Sequence, residues 1–342
     1  MHPKKRTGHQ TWSGGRRTGS NYAGTVAIMG EESVASGVGP RTWVPPASPI
    51  DVEDALRAQG YLPGDGLSTA IYLAIALRRP LFLEGEPGVG KTEVGNVLAR
   101  WFGSELLRLQ CYEGIDAHQA IYEWDYQRQL LYLRAHDRGP GTPPVGEDEL
   151  FSERFLIRRP LLQAIAGGGA PGSAPPVLLI DEIDRADDEF EAFLLEILAD
   201  FTVTVPEVGT FRAKIPPVVV LTSNRTRDVH DALKRRAFYH WVEHPDFDRE
   251  VAIVLSRVPE AGEQLARQVT KAVQALRSMG LYKSPGVAEA IDWARAMHAL
   301  GRDILDEASV ARTLGAVLKY REDAERARSE LGSLVEAATA HG

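Results

Sequence analysis

One cysteine, four methionines and no long apolar run set the first limits on this 342-residue sequence. Cys111 alone excludes an internal disulfide and any cysteine-built metal cluster, and it fits a reducing compartment. No apolar stretch reaches the roughly 20 residues a helix needs to cross a bilayer. The longest candidate, residues 67–77, is broken by Ser68, Thr69 and Tyr72 and runs into Arg78 and Arg79. Arg16 and Arg17 have no apolar stretch behind them, so a twin-arginine export signal is not expected. The expectation is a cytoplasmic protein without a membrane span. A basic excess is missing too, since 39 Lys and Arg face 47 Asp and Glu for a net charge of −8. Proteins that mainly grip nucleic acid carry the opposite balance or a basic face, so nucleic acid is not an expected partner.

What is present is an ordinary globular composition, 44% hydrophobic and 25% charged, with length for one large domain and a smaller one. Residues 1–48 are rich in Gly, Ser, Thr, Arg and Pro and lack periodicity, which reads as a disordered, mildly basic extension. Helices are expected at 51–58 and 68–77, the second capped by Ser68 or Asp65. Short apolar runs at 80–84, 106–109, 176–180, 218–222 and 238–242 suit buried strands, with helices at 92–101 and 188–199. The aromatic alternation over 120–133 predicts a hairpin or strand pair, and 202–205 with 210–214 a second small hairpin. Strands alternating with helices point to an α/β fold with a mostly parallel sheet. Beyond Pro245 the pattern is helical only. Its stripes are Leu265, Val269, Val273, Leu276; then Val287, Ile291, Ala294, Met297; then Val310, Leu314, Val317 and Tyr320. Ser284 and Pro285 suit the cap and first turn of the second stripe.

Gly85, Glu86, Pro87, Gly88, Val89, Gly90, Lys91 and Thr92 fit the phosphate-loop spacing, a Gly, four residues, then Gly-Lys-Thr. Glycines let successive N–H groups wrap phosphate oxygens, and the following helix presents its positive end. Lys91 is suited to the β- and γ-phosphates, and the Thr92 hydroxyl to Mg²⁺, which makes ATP with Mg²⁺ the expected ligand. The run Val177 to Ile180 ends in Asp181, a second candidate for holding the metal through its water shell, and Glu182, a candidate to polarise the attacking water. Asp184 reads as a helix-start acid. Asn224 ends a further strand and can orient that water. Arg235 and Arg236 precede the 238–242 strand, and either can reach a neighbouring subunit's γ-phosphate, although a surface arginine pair is more often simply solvated. His240 and His244 raise the thought of zinc, but a strand does not align them and no third ligand stands by.

In this order and spacing the elements resemble those of AAA+ ATPases: Walker A at 85–92, Walker B at 177–182, sensor 1 at Asn224 and an arginine finger at Arg236, with Arg235 its rival. The segment at 120–133 and the hairpin before Asn224 resemble inserts of the MoxR branch. Stretches from Tyr122 to Gln129, Asp181 to Phe193 and Asn224 to Asp228 are similar to the MoxR-type ATPases encoded beside carbon monoxide dehydrogenase and related molybdenum hydroxylases. The resemblance covers about 50–330. It implies a P-loop core at 49–246 with helices on both sheet faces, and a small helical lid at 247–342. It also implies self-association into a ring, commonly a hexamer, with ATP hydrolysed between subunits. A chaperone-like role follows, with a von Willebrand factor A-type partner and a client metalloenzyme whose maturation it assists. Gly286 follows Ser284 and Pro285 where many MoxR relatives place a sensor 2 arginine, so Arg295 or Lys283 substitutes or the contact is missing. A DNA-translocating motor and an ATP-gated assembly switch stay open. The hairpins mix Arg128, Arg134, Arg212 and Lys214 with Glu123, Asp125 and Glu207, which is not a basic track.

Overall fold

The computed structural model describes residues 43–136, 145–169 and 172–339. Most of the expected extension therefore lies outside the described residues. Within it, Trp43 packs edge-on against Phe102 at 5.6 Å, and Ser48 caps the helix Pro49–Ala58.

Nine strands are described: β1 (Leu81–Glu84), β2 (Leu106–Gln110), β3 (Tyr122–Trp124), β4 (Leu156–Arg158), β5 (Val177–Asp181), β6 (Thr202–Val205), β7 (Gly209–Arg212), β8 (Val218–Ser223) and β9 (Phe238–Trp241). Five of them form a parallel sheet in the order β2-β5-β8-β1-β9. Continuous apolar runs suit it because both faces are covered. Phe82, Leu107, Leu109, Leu178, Ile180, Val219 and Leu221 join one core with the helices Pro160–Ala166 and Asp188–Asp200. Leu81, Leu83, Val177, Leu179 and Val220 face a second core under Pro49–Ala58, Leu67–Ala76 and Lys91–Phe102. The sequence thus folds as an α/β core with a parallel sheet between two layers of helices, followed by a helical C-terminal region. The register sets Gln110 beside Asp181 and Glu84 beside Ser223, so the strands' carboxyl ends share one edge.

From Phe247 to Thr339 the regular structure is helical, and its core, Val251 to Ala338, is separate from the two on the sheet. Trp293 is fully buried there, its indole N–H donating to Thr313 Oγ1 at 2.8 Å. Arg277 grips Glu250 through two hydrogen bonds, 2.8 and 2.6 Å, tying Gly262–Ser278 to Phe247–Arg257. No helix among the described residues is long and apolar enough to cross a membrane.

Four local expectations change. Residues 120–133 are not a hairpin: β3 is followed by the helix Tyr126–His136 and pairs antiparallel with the distant β4. Neither Ser68 nor Asp65 caps the second helix, because Gly66, at φ +77, precedes it. Gly286, not Ser284, is the cap of Val287–Ala299. The third stripe stops at Val317, and Tyr320 caps the next helix. The 202–214 hairpin is present as β6 and β7.

Candidate nucleotide and active site

Glu84 ends β1, the chain turns through 85–90, and the helix Lys91–Phe102 begins. Gly90 takes φ +95 at the turn, a left-handed conformation that a side chain would strain. No side chain caps this helix, so its first N–H groups stay available to an anion. Lys91 is buried and folds back on the loop, donating to the carbonyls of Gly85 at 2.8 Å and Glu86 at 2.7 Å. Burial pulls its ammonium down to about 8, against the attraction of Asp184, Asp181, Glu182 and Glu86.

Asp181 and Glu182 sit at the tip of β5 with different surroundings. Asp181 is buried, and its Oδ1 accepts from Thr92 Oγ1 at 2.9 Å and Thr222 Oγ1 at 2.5 Å. Glu182 holds φ +55, a left-handed backbone costing about 1–2 kcal/mol in a residue with a long side chain. Its N–H donates to Thr222 Oγ1, and its carboxylate receives Asn224 Nδ2 at 3.2 Å, Gln110 Nε2 at 3.1 Å and Arg185 Nε at 3.0 Å. Asp184, read from sequence as a helix-start acid, is buried and accepts from Asn224 N, Thr226 N and Thr226 Oγ1. It therefore fixes the loop that carries Asn224.

These groups border a cleft of about 550 Å³. Pro87, Gly88, Val89, Gly90, Lys91, Thr92, Asp181, Glu182 and Asn224 line it, whereas Gly85 and Glu86 lie behind, in contact with Lys91. The far wall is apolar and was not anticipated: Tyr61, Leu62, Pro245, Ile253, Val287 and Ile291 can enclose a flat base. Arg249, Arg257 and Arg295 also line the cleft, Arg257 paired with Glu93 at 2.9 Å and Arg295 with Asp292 at 3.6 Å, so that all three can turn to a polyphosphate. Lys283 is not on the cleft, so of the two sensor 2 substitutes only Arg295 faces it. Gly286 has a steric reason to be glycine, because a Cβ there would lie 2.6 Å from the Gly88 Cα. Arg235 and Arg236 are exposed and outside the cleft.

The neighbouring hydroxyl of Thr92 and carboxylate of Asp181 are hard oxygen donors, the set that suits Mg²⁺ completed by water and phosphate. His244 instead meets Glu86, Nε2 to Oε2 at 3.0 Å, and the described residues contain no group of three or more His, Cys, Asp or Glu able to hold a metal. Arg108, Gln110 and Thr222 also escape a sequence reading. They become neighbours of Asp181 and Glu182 only through the parallel pairing of β2, β5 and β8.

With the fold and cleft so defined, the class of domain follows: residues 80–237 match the family described as AAA domain (dynein-related subfamily). No curated protein matches the chain. Among solved structures it is similar to the RuvB Holliday junction branch migration motor of Thermotoga maritima, at 16% identity and TM-score 0.41, over 79% of this chain and 72% of that one. It is also similar to a Cytophaga hutchinsonii protein provisionally described as an ATPase, at 14% identity and TM-score 0.41, over 84% of this chain and 96% of that one. At these values neither likeness speaks to activity.

Proposed function

We propose that this chain is an ATP hydrolase, working as one subunit of a ring, commonly a hexamer, with ATP and Mg²⁺ bound in the cleft. The observation that carries this reading is the convergence of Thr92, Asp181, Glu182 and Asn224 at one end of an uncapped helix N-terminus. The first-turn N–H groups and Lys91 receive the phosphates. Thr92 and Asp181 would hold Mg²⁺, which when bound would supply charge stabilisation to the phosphate oxygens. Glu182 polarises the attacking water, and Asn224, already in contact with Glu182, orients it. Arg236, or Arg235 in its place, comes from the neighbouring subunit. The domain division falls at 246/247, so the helical region serves as a lid on the cleft.

The finer role rests on the sequence resemblance to MoxR-type ATPases. It is a chaperone-like remodelling of a client metalloenzyme, such as carbon monoxide dehydrogenase, together with a von Willebrand factor A-type partner. The Glu182→Gln variant tests both levels. It is expected to bind ATP normally and to lose turnover by about 10²–10⁴-fold. Unchanged turnover removes Glu182 from catalysis. Used as bait with ATP, the same variant is expected to retain a client and partner. A salt-sensitive gain in wild-type turnover on adding DNA would instead favour a DNA motor.

A further inference from the structure

Asp181 carries a cation supplied by the protein itself. Arg108, on the neighbouring strand β2, donates Nη2 to Asp181 Oδ2 at 2.5 Å, and the same nitrogen lies 2.9 Å from Gln110 Oε1. The other carboxylate oxygen is taken by the Thr92 and Thr222 hydroxyls. Three of the roughly four acceptor sites on the Asp181 carboxylate are therefore in use by protein donors, and Arg108 holds the only cation among them. The two partners differ in setting: the Asp181 side chain is 4% exposed, the Arg108 side chain 51%. β2 is an edge strand, and Leu107 and Leu109 put their side chains into the core while Arg108 faces out. The guanidinium can thus leave Asp181 by turning its own stem, without unpacking the sheet.

A divalent cation approaching the Thr92–Asp181 pair meets this guanidinium on the same carboxylate. Like charges at such range, beside a buried carboxylate, disfavour each other strongly. We propose that Arg108 is a resident counter-ion which a divalent metal must displace from Asp181. Arg108 is then a positioning residue that sets the metal concentration at which the site loads. The inference rests on the reading of Asp181 as a metal ligand. It gives the site a built-in threshold: the carboxylate stays neutralised at low metal and exchanges one cation for another as metal rises.

The test is the free Mg²⁺ concentration that half-saturates metal-dependent binding of a fluorescent adenine nucleotide to the full chain. Arg108→Ala and Arg108→Gln are each expected to lower that midpoint by about tenfold, the equivalent of about 1.4 kcal/mol. Arg108→Lys keeps a cation and is expected to stay near the wild-type midpoint. Having two neutral variants guards against one that fails to fold, checked by thermal melting. If Asp181→Ala raises the midpoint but neither neutral Arg108 variant lowers it, the pair is a surface ion pair and the proposal is wrong. If Asp181→Ala leaves the midpoint where it was, the metal-ligand reading fails, and the proposal with it.

Discussion

Burial lowers the Lys91 ammonium from its ordinary 10.5 to about 8, and that shift has two consequences with opposite pH trends. For folding, the buried site disfavours the charged form. The cost is fully present below about 8 and is relieved as pH rises toward 10.5, because the unfolded chain then binds more protons than the native one. For nucleotide, the charged form is the one that pairs with phosphate. Affinity is therefore expected to fall as pH rises through about 8, with proton uptake on binding above that point. Calorimetric titrations in buffers of different ionisation enthalpy measure the uptake directly. A nucleotide affinity flat from pH 7 to 9.5 would rule out Lys91 as the phosphate contact.

At the scale of elements, the C-terminal helix Val287–Ala299 meets the 85–90 loop backbone to backbone. Val287 N donates to the Gly88 carbonyl at 3.0 Å, and Gly286 touches Gly88 without room for a Cβ. Gly286→Ala is expected to push loop and helix apart and weaken nucleotide binding by about 1–3 kcal/mol, the usual cost of overpacking. Gly286 has an ordinary extended backbone (φ −89, ψ −172), so the penalty is purely steric and the melting of the C-terminal helices should change little. Trp293→Ala should do the reverse. It opens a cavity in the separate C-terminal core and removes the indole N–H that Thr313 Oγ1 accepts, a loss of about 3–5 kcal/mol readable by denaturant unfolding. The same elements show what a sequence can and cannot disclose. The run at 176–180 reads as a buried strand because both its faces are covered, and 85–92 reads as a phosphate loop because its chemistry is local. Tyr122 and Trp124 mislead because their partner strand lies at 156–158, too distant for alternation to reveal. Arg108, Gln110 and Arg249 reach the site by strand pairing or by the approach of another element, information that no local spacing carries.

For the whole molecule, the finger proposed at Arg235 or Arg236 makes a prediction about a second copy. Both are exposed at the end of the helix Asp231–Arg236, outside the cleft of their own chain. That helix is firmly mounted. Arg79, stacked 5.1 Å from the Phe238 ring centroid, donates to the carbonyls of Arg235 at 2.5 Å and Arg236 at 2.9 Å. A guanidinium on a fixed mount is ordered in advance, which lowers the entropic cost of engaging a partner. A finger of this kind is worth about 10³–10⁵ in rate, so its loss should be plain in turnover. If each site is completed between copies, Arg236→Ala subunits keep an intact cleft but offer no finger, and Glu182→Gln subunits offer a finger but cannot hydrolyse. Each alone is expected to be nearly inactive. Co-expressed with different tags and purified as mixed assemblies, they should regain turnover at junctions where a Glu182→Gln copy serves an Arg236→Ala cleft. Arg235→Ala in place of Arg236→Ala identifies which arginine acts. Full activity of the Arg236→Ala and Arg235→Ala assemblies alone would remove the finger. Inactive mixtures would show instead that the arginine acts within its own chain, leaving the ring without a part in the chemistry.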